Sequence, residues 1–178
     1  MIVINLFGEP GAGKSTGAAY VFAMLKMNGV NAELVTEYAK DITWEETKEA
    51  FKNQAYLFGQ QAFRLSRCAD KVDVIVTDSP LPLSIVYNNN ENLTQNFTNT
   101  VMDVFNSYEN INYLILRRKP YIPIGRNQNE EEAQVLKEKI YRLLSENKID
   151  HSLVFGSLEG YNYIVEEVLS ILEEQNNS

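Results

Sequence analysis

Residues 8–15 read Gly8-Glu9-Pro10-Gly11-Ala12-Gly13-Lys14-Ser15, with Thr16 next. The spacing G-x-x-x-x-G-K-[ST] is that of a loop that wraps phosphate. Its setting agrees, because the apolar run Ile2–Phe7 precedes it and an amphipathic stretch follows. Gly8, Gly11 and Gly13 let the backbone turn its N–H groups inward toward phosphate oxygens. The helix opening at Gly13 adds the positive end of its dipole. Lys14 supplies a point charge for the β- and γ-phosphates and Ser15 a hydroxyl for magnesium, while Ala12 and Thr16 complete the cradle. The expected cofactors are ATP and Mg2+.

Working outward, short apolar runs alternate with helical periodicities, the pattern of a parallel sheet covered by helices. The strand candidates are Ile2–Phe7, Ala32–Thr36, Val72–Thr77, Ile111–Leu116 and Ser152–Phe155. The first helix is expected to end near Asn28-Gly29. A second is expected to begin with a capping box, Thr43 and Glu46, and to bury a stripe of Phe51, Ala55, Phe58, Ala62, Leu65 and Ala69. A third is expected over Leu93–Tyr108. A fourth starts at Asn129, with Glu130, Glu131 and Glu132 against its dipole and Ala133, Leu136, Ile140 and Leu143 inward. A last helix runs from Tyr161 to Glu173. With no repeat or linker in the pattern, residues 1–178 read as a single domain.

Two carboxylates fall at strand ends, where open α/β sheets bind ligands. Asp78 follows the third strand and is assigned to magnesium. Glu37 follows the second and is assigned to the acceptor, as base or hydroxyl ligand. Sequence gives no distances, so the two roles are interchangeable at this point. Arg117, Arg118 and Lys119 end the fourth strand, and Arg126 follows in a loop punctuated by Pro120, Pro123 and Gly125. Such a segment, about 117–130, suits a small lid that brings arginines to a transferred phosphoryl group. Arg126 is the preferred lid arginine. Glutamines and aromatics of the second helix, Gln54, Phe58, Gln60 and Gln61, together with Tyr38, suit a planar base, through amide pairing and ring stacking. Tyr87 is a further candidate for that pocket.

The bulk composition narrows the classes. The net charge of −8 disfavours broad nucleic-acid binding. Cys68 is the one cysteine, which excludes an internal disulfide. No apolar run reaches the ~20 residues of a membrane span. The first strand is too short and lacks the basic flank of a signal peptide. A cytoplasmic protein without a membrane partner is expected.

Together, the Walker A loop, Glu37 after strand two, the glutamine-bearing helix, Asp78 after strand three and the arginine-rich loop resemble the nucleoside/nucleotide kinase branch of P-loop proteins. The chain is most similar there to deoxynucleoside and thymidylate kinases and to ribosylnicotinamide-kinase-like phage proteins. The resemblance implies a three-layer P-loop sandwich with a five-stranded parallel sheet of order 2-3-1-4-5. It implies that Glu37 contacts an acceptor hydroxyl, and that Gln60, upstream of Leu65-Ser66-Arg67, reads the base. It departs where those families place an arginine after the strand-three acid, because Ser79-Pro80 stands here. The function implied is ATP-dependent transfer of the γ-phosphoryl group to a hydroxyl or phosphate of a small nucleoside- or nucleotide-like acceptor. Two alternatives stand beside it: a phage-type kinase of 5-hydroxymethyluracil within DNA, and a regulatory NTPase. Homodimerisation is left open.

Overall fold

The central strand β1 (Ile2–Phe7) is buried at every position, as a strand covered on both faces must be. The computed structural model describes residues 1–46, 48–118, 120 and 129–176. β1 pairs in parallel with β3 (Val74–Thr77) on one side and β4 (Glu109–Leu116) on the other. β2 (Ala32–Val35) extends the sheet beyond β3, and β5 (Ser152–Phe155) extends it beyond β4. The resulting order, β2-β3-β1-β4-β5, is the one the resemblance implies, and it is the P-loop kinase α/β fold.

Alternation along β1 divides the core. Ile2, Ile4 and Leu6 face the layer of α1 (Lys14–Met27) and α7 (Leu158–Asn176), packing with Val21, Leu25, Ile164 and Val168. Val3 and Phe7 face the layer of α3 (Gln54–Ser66), α4 (Leu83–Val86), α5 (Gln95–Asn106) and α6 (Glu130–Glu146). The short helix α2 (Tyr38–Trp44) follows β2 directly and leads to a 3-10 turn, Lys48–Lys52. The C-terminal ends of β1, β2 and β3 therefore open toward α1, α2 and α3, which is where the loop 8–13, Glu37 and Asp78 stand. No helix among the described residues is long and apolar enough to cross a membrane.

Several expected boundaries move. Thr43 and Glu46 do not cap the second long helix. Thr43 lies in α2, where its hydroxyl donates to Ala39 O at 2.9 Å, and Glu46 takes a positive φ of 56° beyond it. The cap of α3 is Asn53, whose side chain accepts from Tyr56 N at 3.0 Å. The later start also corrects the stripe. Gln54, Leu57, Phe58, Gln61 and Leu65 are buried, Ala55 is exposed, Phe51 sits on the 3-10 turn and Ala69 lies past the helix end. The expected 93–108 helix is α5, preceded by the separate α4. At α6 the expectation holds in detail: Asn129 and Glu132 exchange capping hydrogen bonds, and Ala133, Leu136, Ile140 and Leu143 are buried.

Candidate active site

The phosphate loop connects β1 to α1, and Gly13 is its most constrained point. Gly13 caps α1 in a left-handed conformation, φ 107°. A Cβ there would lie 2.4 Å from the Tyr161 hydroxyl, so both backbone and space require glycine. That hydroxyl donates to Gly13 O at 2.9 Å, bracing the loop from α7. The Tyr161 ring also fills the space beside Gly17, where a Cβ would meet it at 2.6 Å. The Lys14 ammonium donates to Gly8 O at 2.8 Å and to Glu9 O at 3.1 Å, holding the lysine across its own loop. The first-turn N–H groups of α1 have no acceptor within the helix, which suits them to an anion.

A cavity of about 760 Å³ joins this loop to the end of β2. Pro10, Gly11, Gly13, Lys14, Ser15 and Thr16 line one end. Glu37, Tyr38, Lys40, Gln54 and Gln61 line the other, with Ser79, Ser84, Tyr87 and the Trp44 ring around them. Asp78, buried at the end of β3, accepts a hydrogen bond from Glu37 N at 3.0 Å. Burial raises the Glu37 carboxyl above the usual glutamate range; the Lys14 charge opposes the rise and the Asp78 charge adds to it.

The peptide on either side of Glu37 is pinned by α3. The Gln61 side-chain carbonyl accepts from Tyr38 N at 2.9 Å, and its amide donates to Thr36 O at 3.3 Å. Arg64 donates to the same Thr36 O at 3.3 Å, is ion-paired to Asp41, and lies 4.9 Å over the Tyr38 ring. Tyr38 and Tyr56 share a hydroxyl–hydroxyl hydrogen bond of 2.6 Å. Residues 36, 37 and 38 thus each have a backbone group tied down, which fixes where the Glu37 side chain starts.

The glutamines and aromatics expected at the base end part ways. Gln54 lines the cavity, is only 7% exposed, and has no hydrogen-bond partner among the described residues. Gln61 lines it too, but both ends of its amide bind the backbone. Gln60 and Phe58 are not among the lining residues. Phe58 turns into the core and meets Phe97 edge-on, ring centroids 5.8 Å apart. The cause is the one-position shift of the buried face, which puts Gln54 and Gln61 inward and leaves Gln60 on the flank.

The basic loop also divides. Arg117 does not line the phosphate cavity. Its Nε lies 3.2 Å from the buried carboxylate of Glu9, and its Nη2 lies 3.4 Å from Glu130. Together with Lys137 and Tyr141 of α6 it lines a separate cavity of about 340 Å³. The Arg118 guanidinium lies 5.5 Å over the Phe155 ring. Arg126 and Lys119 lie outside the described residues. Glu9 was missed by sequence reasoning although an acid inside a phosphate loop is itself a signal that it is turned away and paired. His151 is exposed, with Nδ1 2.8 Å from Ile149 O, and has no part in either cavity.

The residues fit ATP and magnesium in kind. A glycine-rich loop at a helix N-terminus suits the phosphates. The Ser15 hydroxyl and the Asp78 carboxylate are hard oxygen donors, and magnesium needs only one or two protein carboxylates beside phosphate and water.

The family model described as "AAA domain" matches residues 3–160. The chain belongs to that family. Among solved structures, deoxyadenosine kinase from M. mycoides with bound dATP is similar over 96% of this chain and 99% of its own, at 21% identity and a TM-score of 0.55. The same enzyme with products dCMP and a flexible dCDP gives 97%, 99%, 21% and 0.54. YorR from Bacillus subtilis, in complex with phosphorylated GDP, is similar over 99% of this chain and 98% of its own, at 16% identity and a TM-score of 0.62. At these identities the likeness establishes the fold. No curated protein matches the chain.

Proposed function

We propose that this member of the AAA domain family is an ATP-dependent phosphotransferase acting on a small nucleoside- or nucleotide-like acceptor. The observation that carries the proposal is the continuity of one cavity, which runs from the phosphate loop to Glu37 and Gln54. A hydrolase needs room for water beside the γ-phosphate; this cavity extends well past that point and ends in groups suited to a base. In this reading Gly8, Gly11, Ala12, Gly13, Lys14, Ser15 and Thr16 hold the phosphates, and Ser15 and Asp78 hold magnesium, which neutralises phosphate charge when bound. Glu37 orients the acceptor and takes its proton. Gln54 offers a free amide edge to the base, and Tyr38 and Trp44 offer ring faces. Arg118 and the lid arginine Arg126 serve the nucleotide side, while Arg117 supports the loop through Glu9.

The test is a transfer assay with Mg·ATP against deoxynucleosides, nucleoside monophosphates and a duplex containing 5-hydroxymethyluracil, with ATP hydrolysis as control. Phosphorylation of a free nucleoside or nucleotide is the expected result. Transfer to the duplex alone would replace the small acceptor by DNA, and ATP hydrolysis with no acceptor phosphorylated would leave a regulatory NTPase.

A further inference from the structure

An acid inside a loop that must hold polyphosphate works against it, and Glu9 is such an acid. Glu9 is 5% exposed and is turned away from the phosphate cavity, whose lining begins at Pro10. It lines the smaller cavity instead, beside Arg117. Gly8 brings it there. That residue lies so close to the end of β4 that a Cβ would meet Ile115 O at 2.8 Å, which sets Glu9 against the arginine two positions further along. Glu9 Oε1 lies 3.2 Å from Arg117 Nε, and Oε2 has no hydrogen-bond partner among the described residues. A buried carboxylate held on one side depends heavily on its cation. Arg117 is in turn held by Glu130 at the start of α6, 3.4 Å from its Nη2. The backbone of Glu9 has a different partner. Its carbonyl and that of Gly8 receive the Lys14 ammonium, at 3.1 and 2.8 Å. Glu9 therefore meets the phosphate lysine through its main chain and Arg117 through its side chain.

We infer, resting on the phosphotransferase function proposed above, that Arg117 is a positioning residue for the donor nucleotide and acts through Glu9: it sequesters the acid so that the Lys14 ammonium stays set for phosphate. Without the guanidinium, the Glu9 carboxylate would turn toward Lys14, whose ammonium already rests on the same residue's carbonyl. A carboxylate–ammonium pair there would hold the lysine against the loop and put a negative charge beside the phosphates. Both weaken the binding of a polyanion. A guanidinium suits the task because it stays charged and its fork reaches two carboxylates at once, Glu9 and Glu130. The role is distinct from that of an arginine that touches the transferred phosphoryl group, since neither Glu9 nor Arg117 lines the phosphate cavity. It is distinct as well from the Tyr161 brace, which bears on the Gly13 end of the loop through a hydroxyl.

The experiment measures Mg·ATP binding by calorimetry on the full chain, for wild type, Arg117→Gln, Glu9→Gln and the double variant, and takes KM for ATP and for the acceptor from the transfer assay. Arg117→Gln should weaken Mg·ATP binding at least ~10-fold, raise KM for ATP and leave KM for the acceptor unchanged. Glu9→Gln, which removes the acid itself, should cost no more than ~3-fold. The double variant should return to within ~3-fold of wild type, because a buried pair replaced on both sides costs far less than one broken on one side. In a crystal structure of Arg117→Gln, the Lys14 ammonium should be paired to the Glu9 carboxylate. A double variant that binds Mg·ATP as weakly as Arg117→Gln means that the arginine serves the nucleotide directly, and overturns the inference while the phosphotransferase proposal stands. Should Arg117→Gln fail to fold, the double variant decides alone, and a loss of ~10-fold or more against wild type overturns the inference in the same way. A wild-type chain that does not bind Mg·ATP overturns both.

Discussion

At the phosphate end of the cavity the lining comes from the continuous stretch 10–16, whereas at the acceptor end it comes from the β2–α2 junction, from α3 and from the segment after β3. The first is a backbone device: positive φ values of 85° at Gly11 and 107° at Gly13 and a helix terminus do the holding, and Lys14 adds charge. The second is a side-chain device, in which Gln61, Arg64 and Asp78 hold the backbone that carries Glu37. A backbone device tolerates little change anywhere along it. A side-chain device can be retuned one residue at a time, so the acceptor end is where specificity is free to vary while the donor stays the same. Asp78 belongs to both, since it faces the metal site in the proposed function and accepts from Glu37 N.

The largest effect should come from the donor end. Lys14→Ala should cut transfer by at least ~1,000-fold, the scale of losing one preorganised charge at a phosphoryl group. Its ammonium donates to the loop's own carbonyls at Gly8 and Glu9 and not to the core, so the fold should survive, as circular dichroism would show. Wild-type turnover by this variant would remove the donor end from the chemistry.

Next, Glu37→Gln should slow transfer by about 100-fold and leave Mg·ATP affinity nearly unchanged, because the acceptor step alone loses its base. Calorimetric titration with ATP beside the transfer assay checks this. A parallel loss of ATP affinity would put Glu37 in the metal site and merge the two ends. The same variant should melt higher than wild type at neutral pH. Burial raises the Glu37 carboxyl above its ordinary 4.5, so its contribution to stability is present at low pH and is lost as pH rises through the folded value. The gain should vanish below pH 4.5, where the group is protonated in both states. A gain that persists there would come from something other than ionisation.

A smaller effect separates the carboxylate from its clamp. Gln61→Leu removes both amide bonds to the backbone of residues 36 and 38, one of which also seats Tyr38. Transfer should drop roughly 10-fold, with stability lower by about 1–3 kcal/mol for the orphaned backbone groups. Base preference should not change, whereas Gln54→Leu should change it. If Gln61→Leu alters base preference, Gln61 reads the base directly.

The smallest expected effect lies on the brace. Tyr161→Phe removes one hydrogen bond to Gly13 O, worth about 1 kcal/mol. It should raise KM for ATP several-fold and leave KM for the acceptor alone. Equal changes in both would mean that the two ends are mechanically joined.

The same contrast decides what the sequence could disclose. The loop was legible because its physics is local: consecutive residues fix consecutive N–H groups. All five strands lay within three residues of their expected bounds, since buried parallel strands are plain apolar runs. α6 was legible through its cap and stripe. The acceptor end was legible only in part. Glu37 and Asp78 could be placed at strand ends, but the bond between them joins residues 41 apart. Thr43 and Glu46 imitate a cap, which obscured the start of α3 at Asn53; of its glutamines Gln54 and Gln61 are the buried pair. Gln61 against Thr36 and Tyr38, Arg117 against Glu9, and Tyr161 against Gly13 are all pairings of distant residues with no local pattern.

The contact between Tyr161 and Gly13 spans 148 positions of the chain. During synthesis the glycine-rich loop leaves the ribosome early, and β1 cannot close its sheet until β3 and β4 follow. Even then the space beside Gly13 and Gly17 is unfilled, because the ring that occupies it is carried by α7. A nascent chain arrested before residue 161 would hold every residue of the phosphate-binding signature and still lack the strut that shapes it. Nucleotide binding should therefore arise late and abruptly, only as the chain lengthens past residue 161.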